Sequence, residues 1–314
     1  PTMESRIGTI RVPDERIDIL SEMYNPKKTI YAQVEYFLPG KADQGADKQQ
    51  SPWTRVRDCD ALIHVVRNFK LYGQEDPDPW ADVQALDQEL IISDLVVAEK
   101  RMERLAMDQK RGRKPDPEEM ALLEQCLEHL NNETPLRRFP ELASAKLLRG
   151  FAFLSAKPSL VLLNNLDEDD ELPDLPEEMQ QETCMIIRAK LEQELAQMTA
   201  DEAAEFLAEF NISESATDRV LKSSYALQGL ISFFTVGEDE VRAWTIVRDT
   251  VALDAAEVIH SDIKKGFIRA EVLAYEDLMA AGTYAEARKQ GTVRLEGKTY
   301  VVKDGDIVHY RFNV

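Results

Sequence analysis

The 314-residue chain sets 38 Lys and Arg against 58 Asp and Glu, a formal charge of −20, with 44% hydrophobic and 7% aromatic residues. That length exceeds what one hydrophobic core usually serves, so two or three domains are expected. No apolar run approaches the ~18 residues of a membrane-spanning helix, and so acidic a surface repels nucleic-acid backbones except through a locally basic patch.

Cys59, Cys126 and Cys184 are odd in number and widely spaced. They read as small buried thiols of a cytoplasmic protein rather than disulfide or zinc partners. The sequence opens at Pro1 with neither a basic nor an apolar leader segment, which reads as a fragment or trimmed chain without a signal peptide.

Val12 to Met23 reads as a turn and short helix started by Pro13 and Asp14. Thr29 to Leu38 is strand-like, and Lys41 to Trp53 is a polar loop. The continuous apolar run Ala61 to Val66 suits a buried parallel strand. After Asp76-Pro-Asp-Pro come two helical stretches, Trp80 to Asp108 and Glu118 to Leu130, each with apolar residues at helical spacing. Gly and Pro between them predict an antiparallel helical hairpin with a basic tip, Lys110-Arg111-Gly112-Arg113-Lys114. Glu141 to Leu154 reads as another amphipathic helix, Ser159 to Asn164 as a second buried strand and Cys184 to Arg188 as a third. Asp167 to Pro176 is an acidic loop. Ala200 to Phe210 and Asp218 to Leu230 are predicted helices with Thr199 and Thr217 as caps. From Phe233 the pattern becomes strands around one helix, Ala255 to Lys264. Strands alternating with helices predict an α/β fold with a parallel sheet, the helical hairpin entering as an insertion.

The strongest local chemical signal is Asn164-Asn165-Leu166-Asp167 at the end of a buried strand. Ligands of open parallel sheets bind beyond the carboxyl ends of the strands. An Asp there can accept from guanine N1–H and the 2-amino group, as in the Asn-Lys-x-Asp of P-loop GTPases, which this segment resembles. The alternative is an Asn/Asp turn after a strand. Ile187-Arg188-Ala189-Lys190 stands where such GTPases carry Ser-Ala-Lys; a strand running into a helix explains it equally well. His64 lies inside the apolar run and reads as a core residue. His129, His260 and His309 have no partner at metal-ligand spacing, and there is no G-x-S-x-G or H-E-x-x-H.

The last segment contains Val241-Arg-Ala-Trp-Thr-Ile246 and Ile259-His-Ser-Asp-Ile-Lys-Lys-Gly-Phe-Ile-Arg-Ala270, and ends Val302-Lys-Asp-Gly-Asp-Ile-Val-His-Tyr-Arg-Phe-Asn-Val314. It resembles the C-terminal TGS domain of the YchF, or Obg-like ATPase, family. Thr2 to Ile10 resembles that family's Thr-Ile-Glu-Pro-Asn-x-Gly stretch, and Asn25-Pro26-Lys27-Lys28-Thr29 its following connection. The resemblance implies a Ras-like, P-loop-type G domain split between residues 1–84 and 150–200. It also implies a helical insert over 85–149, connecting helices over 201–229 and a β-grasp TGS domain over 230–314. It implies GTP or ATP with Mg²⁺ as cofactors, held by Asn164, Asn165, Asp167, Ala189 and Gly40, with Thr2 as the metal ligand. Ribosome and rRNA contact is expected through the TGS domain and Lys110, Arg111, Arg113 and Lys114, with no membrane or DNA partner.

Three departures accompany the resemblance. The pattern G-x-x-x-x-G-K-[ST] is absent; in the family it lies just upstream of the Pro1 position. Where the family has Asp-x-x-Gly, this chain reads Phe37-Leu38-Pro39-Gly40, keeping the glycine without the Asp. The family's loop His after the Val-Val-Arg strand has no counterpart in residues 70–78. The expectation is therefore a nucleotide-binding switch with weak or absent hydrolysis. The alternative is a non-enzymatic RNA- or protein-binding adaptor with a degenerate G domain. Members typically carry Asn-x-x-Glu; Asp167 in place of Glu predicts that GTP is tolerated at least as well as ATP.

Overall fold

Three of the apolar runs pair as one parallel sheet, as their lack of polar alternation predicts. The computed structural model describes residues 4–40, 53–174, 176–180, 182–209, 212 and 214–313. It divides into two units, Pro1–Ile7 with Phe37–Thr217, and Gly8–Tyr36 with Asp218–Val314. Strands β1 (Arg6–Arg11) and β3 (Gln33–Leu38) pair as a separate two-stranded sheet, and each crosses that division. Between them in sequence lie helix α1 (Glu15–Tyr24) and strand β2 (Lys28–Ile30).

In the first unit, β4 (Leu62–Arg67), β5 (Ser159–Asn164) and β6 (Thr183–Ile187) form the parallel sheet in that order. Helix α2 (Pro79–Lys110) and helix α3 (Pro117–Asn131) form the hairpin inserted between β4 and β5. Both helices start on the same dipeptide. Asp78 and Asp116 accept from backbone N–H groups of the first turn, and Pro79 and Pro117 occupy the first helical position, where no N–H is needed. Leu105, Leu123, Cys126 and Leu130 form the buried seam of the hairpin. The Arg101 guanidinium forks onto Glu119 across it, at 2.7 and 2.8 Å.

The expected helix over 141–154 is broken instead. A short helix α4 (Pro140–Ala143) is followed by a 3-10 turn, Lys146–Phe151, and Ala152 takes a left-handed φ of 47°. Continuous helix there would lose the spacing by which Leu142, Leu148 and Phe153 all reach the core below the hairpin. Helix α5 (Ala189–Leu195) follows β6, then α6 (Ala200–Glu209) and α7 (Ala216–Leu227). Thr199 caps α6 through a reciprocal bond with Glu202, whose side chain accepts from the Thr199 N–H at 2.8 Å. Thr217 is not a cap: it lies within α7, and the Glu192 carboxylate of α5 accepts from the N–H groups of Ala216 and Thr217 at 2.7 and 3.1 Å.

The second unit is a mixed sheet of strand order β10-β9-β11-β7-β8-β2, in which β7 (Leu230–Thr235) and β8 (Glu240–Val247) are an antiparallel hairpin. Helices α8 (Ala252–Ile259) and α9 (Ser261–Lys265) replace the one predicted helix, because His260 between them is fully extended. Strand β9 (Phe267–Ala274) leads to α10 (Tyr275–Ala281) and α11 (Tyr284–Gln290), which the sequence reading did not resolve. Strands β10 (Arg294–Glu296) and β11 (Asp306–Phe312) complete the sheet. With β11 parallel to β7 and antiparallel to β9, this is the β-grasp order expected of the terminal segment.

The expected division of the chain differs in two places. The boundary at 84/85 falls inside α2, and residues 8–36 group with the C-terminal sheet. Apolar burial accounts for the second difference. Ile17 and Leu20 of α1 are fully buried in one cluster with Phe234, Val241, Leu273 and Ile307. Strand β2 extends the sheet by parallel pairing with β8, and Arg16 pairs with Asp304 at 2.9 Å. Among the described residues no helix is long and apolar enough to cross a membrane.

One buried carboxylate ties the hairpin to the parallel sheet. Asp94, in the middle of α2, is wholly buried. It accepts from Leu154 N at 3.0 Å, Ser155 N at 2.7 Å and the Arg57 guanidinium at 3.0 Å. Asp94→Ala leaves the Leu154 and Ser155 N–H groups without an acceptor and takes from the Arg57 guanidinium its charged partner, though not its bonds to Ser93 and Ala152, so it is expected to destabilise the protein by about 3–5 kcal/mol. Urea unfolding of the variant beside wild type measures the difference.

Candidate functional site

Parallel pairing aligns Arg67, Asn164 and Ile187 across the three strands of the first unit, so three loops leave the sheet at one level. Asn164 is the last residue of β5, and its Oδ1 accepts from the Ala189 N–H at the start of α5, at 3.0 Å. Two of the expected site residues are thus joined directly. Asn165 is buried, with 4% of its surface exposed. Its N–H donates to Ile187 O at 2.9 Å and its side-chain amide to Glu171 O at 3.2 Å. Its Oδ1 accepts from Asn68 Nδ2 at 2.9 Å. Asn165, expected among the cofactor-binding residues, thus faces the interior and spends its side-chain amide on protein partners.

Asp167 sits on the turn beyond. Lys190 Nζ lies 3.4 Å from its Oδ2, and Arg188 donates to its backbone carbonyl at 3.2 Å. Its Oδ1 is buried and has no hydrogen-bond partner. A carboxylate oxygen withdrawn from water and left unbonded is a costly arrangement that a ligand donor would relieve. An unbonded acceptor of this kind fits the edge of a purine, which presents N–H groups.

The Asn-x-x-Glu spacing typical of YchF proteins also occurs one residue later, from Asn165 to Glu168. The structure separates the two registers. Asn164 makes the tie to the neighbouring loop, and Asp167 carries the half-buried carboxylate, whereas Asn165 is turned inward and Glu168 is exposed. Asn68 is a further member of the cluster that motif reading passes over; its only sequence signal is its place immediately after the Val-Val-Arg strand.

Gly40 lies elsewhere in the same unit. It is buried, and a Cβ there would come within 2.5 Å of the Glu4 and Ser5 backbone. Only glycine admits that approach, which joins the Pro39-Gly40 segment to the stretch read as switch I. Arg55 straps the same region, donating to Ser5 Oγ at 2.7 Å and stacking over Phe37. Thr2, the expected metal ligand, lies outside the described residues. Among the described residues no cluster of three or more His, Cys, Asp or Glu side chains is placed to hold a metal ion.

Lys110, Arg111, Arg113 and Lys114 are all exposed at the hairpin tip, where Gly112 takes a φ of +81° and closes the turn. Arg113 reaches back to Asp108 at 3.3 Å. Cys126 is buried while Cys59 and Cys184 are half-buried, so only one thiol is as enclosed as expected. Burial pushes the Cys126 and Cys184 thiols up to about 11.

Comparison with known proteins places this geometry. The family model YchF-GTPase_C, described as a protein of unknown function (DUF933), matches residues 230–313. The ribosome-binding ATPase YchF of Bacillus subtilis is 37% identical over 332 residues, covering 100% of this chain and 90% of that protein. Its counterpart in Haemophilus ducreyi is 35% identical over 328 residues at the same coverage. This chain belongs to the YchF family. The solved structure of the Schizosaccharomyces pombe YchF GTPase superposes with a TM-score of 0.85 at 30% identity, over 97% of this chain and 87% of that one. A GTP-binding protein from Pyrococcus horikoshii shares the fold, with a TM-score of 0.59 at 18% identity, over 98% of this chain and 93% of that one. YchF family membership accounts for the parallel sheet, the inserted hairpin and the terminal β-grasp sheet together.

His64 of β4, expected in the core, is half-buried, and burial lowers its pKa from the ordinary 6.5, against the pull of Asp87 and Asp82. The unfolded chain therefore takes up this proton first as pH falls. The stability His64 contributes is whole above about pH 6.5 and is lost below it, towards the folded pKa. Replacing it with Gln is expected to flatten the loss of stability between about pH 7 and about pH 5, read from denaturation midpoints at each pH.

Proposed function

We propose that this YchF protein is a purine-nucleotide-binding switch that works at the ribosome. The observation that carries the reading is the partnerless Asp167 carboxylate oxygen, held at the carboxyl edge of a parallel sheet beside the Asn164–Ala189 tie. In this reading Asp167 accepts from the base, Asn164 holds the two base-flanking loops together, and the Ala189 backbone lines the site. GTP or ATP with Mg²⁺ is the cofactor, and its phosphates and metal supply the charge whose loss on hydrolysis would switch the protein. Gly40 would serve the phosphate end, and the resemblance assigns Thr2 to the metal. The G domain comprises the parallel sheet with residues 1–7 and 37–78, the hairpin is an arm, and the terminal β-grasp sheet is a TGS domain.

Ribosome contact rests on two supports. The bacterial relatives are named ribosome-binding ATPases, and the arm of this acidic protein ends in four exposed cations. A basic tip on a long helical arm suits rRNA phosphates, which puts the work of the protein in the cytoplasm. Hydrolysis is weak in this reading. The Asp of the Asp-x-x-Gly element and the loop His are both absent, and single elements of that kind are worth about 10²–10⁵ in rate. The same two absences favour a second reading, an adaptor in which the G domain no longer binds nucleotide and the arm and TGS domain do all the work.

Nucleotide titration of the protein expressed from its own start codon separates the two readings. Binding of GTP or ATP with Mg²⁺ is expected; silence for both at millimolar concentration leaves only the adaptor. Asp167→Ala is expected to weaken GTP binding by about tenfold or more, since hydrogen bonds to a charged acceptor are worth about 1.5–3 kcal/mol, and to lower the GTP-to-ATP affinity ratio. An unchanged ratio would remove Asp167 from the site. Reversing Arg111 and Arg113 to Glu is expected to reduce co-sedimentation with ribosomes, most clearly at low salt; a tip that merely faces solvent would leave the pellet unchanged.

A further inference from the structure

Asn165 stands where GTPases of the Asn-Lys-x-Asp type carry a lysine, yet it is buried and spends every side-chain group inside the protein. Its three hydrogen bonds reach three different segments. The backbone N–H holds the end of β6 at Ile187, the side-chain amide holds the acidic loop at Glu171, and Oδ1 holds Asn68. Asn68 is itself fixed by its N–H, which donates to Asn164 O at 2.9 Å. It opens the loop that runs from β4 to α2. Arg67 organises that loop from its base, donating to Phe69 O at 2.7 Å and Glu75 O at 3.1 Å. The loop closes on Asp78, whose carboxylate accepts from Ala81 N at 3.0 Å and starts α2. The turn bearing Asp167 is thus joined by one side-chain hydrogen bond to the loop at the root of the arm.

We propose that the Asn68–Asn165 hydrogen bond couples the base-reading turn, residues 164–168, to the loop 68–78, with Asn165 a positioning residue that never touches the nucleotide. The inference rests on the base-reading role of Asp167. Two amides that satisfy one another under a turn give it one arrangement, and loss of either leaves a buried polar group unpaired. Ordering of the turn by a bound base is thereby transmitted to residues 68–78.

Hydrogen exchange with and without GTP and Mg²⁺, on the protein expressed from its own start codon, tests this directly. In wild type, nucleotide is expected to slow exchange in 164–174 and in 68–78 together. In Asn68→Leu the slowing in 164–174 persists and that in 68–78 is lost. Nucleotide affinity should fall about three- to tenfold in Asn68→Leu and in Asn165→Leu, and no further in the double variant, because one bond is shared. Asn68→Leu alone decides the question if Asn165→Leu does not fold, and Lys70→Ala, which breaks only the exposed pair with Asp76, should match wild type. Continued slowing of 68–78 in Asn68→Leu, or losses that multiply in the double variant, would overturn the coupling. If Asp167→Ala weakens GTP while the Asn variants behave as wild type, the coupling alone fails; if Asp167→Ala changes nothing, the base-reading role fails first.

Discussion

Parallel strand pairing is the constraint on which the candidate site depends. Strands β4, β5 and β6 are held in a register that sets Arg67, Asn164 and Ile187 side by side. Parallel strands cannot be joined by tight hairpins, so each must be followed by a crossover, and the crossovers must leave from the same edge. The loops beginning at Asn68, Asn165 and Arg188 are therefore neighbours whatever their own sequences. What those sequences add is a set of short polar bonds between them: Asn164 to Ala189, Asn165 to Asn68 and Glu171, and Arg188 to the Asp167 carbonyl. The pairing places the loops; the side chains make them one body.

The same unit spends its buried charge on anchoring the arm. Asp94 holds Arg57 and the chain just before β5 to the middle of α2. About two helical turns towards the root, Arg137 forks onto Asp87 at 3.0 and 2.6 Å and onto Glu182 at 3.1 and 2.9 Å. Buried ion pairs of this kind add little net stability, because desolvation offsets most of the attraction, but they reject alternative arrangements. Here they fix the angle at which α2 leaves the sheet. Its 32 residues then extend about 48 Å. An arm fixed at its root and bare at its tip carries any small rotation of the root to the four cations at its end.

Much of this was legible because it rests on local rules. Continuous apolar runs marked the buried strands, Asp76-Pro-Asp-Pro marked the break before the arm, and Gly and Pro marked its turn. The terminal segment was legible through its resemblance to a known domain. The failures share a physical cause, which is that tertiary burial outweighs local pattern. Residues 141–154 have helical periodicity, yet packing of Leu142, Leu148 and Phe153 required a broken path. Residues 8–36 follow the G-domain motif order, yet Ile17 and Leu20 are buried with the C-terminal sheet. Thr217 has the chemistry of a cap, but Glu192, distant in sequence, occupies that role. Within the candidate site, Asn164 and Ala189 were named through the resemblance, and a hydrogen bond joins them. Asn165 was named with them, but a motif gives no direction for a side chain, and Asn68 was invisible because its partner lies 97 positions away.

The retained and the lost elements fall at opposite ends of the expected site, and that distribution bears on how such a chain could still act. The base end keeps a carboxylate with an unbonded oxygen and a closed network around it, all of which must be specified together, since a half-satisfied buried network is worse than none. The phosphate end of the proposed site keeps Gly40, whose contact with the Glu4–Ser5 backbone excludes any side chain, while Phe37 stands where the family's Asp-x-x-Gly element carries its Asp. In the proposed reading, a closed polar network at the base end beside an apolar segment at the phosphate end is what a chain that binds a nucleotide and cleaves it slowly would carry.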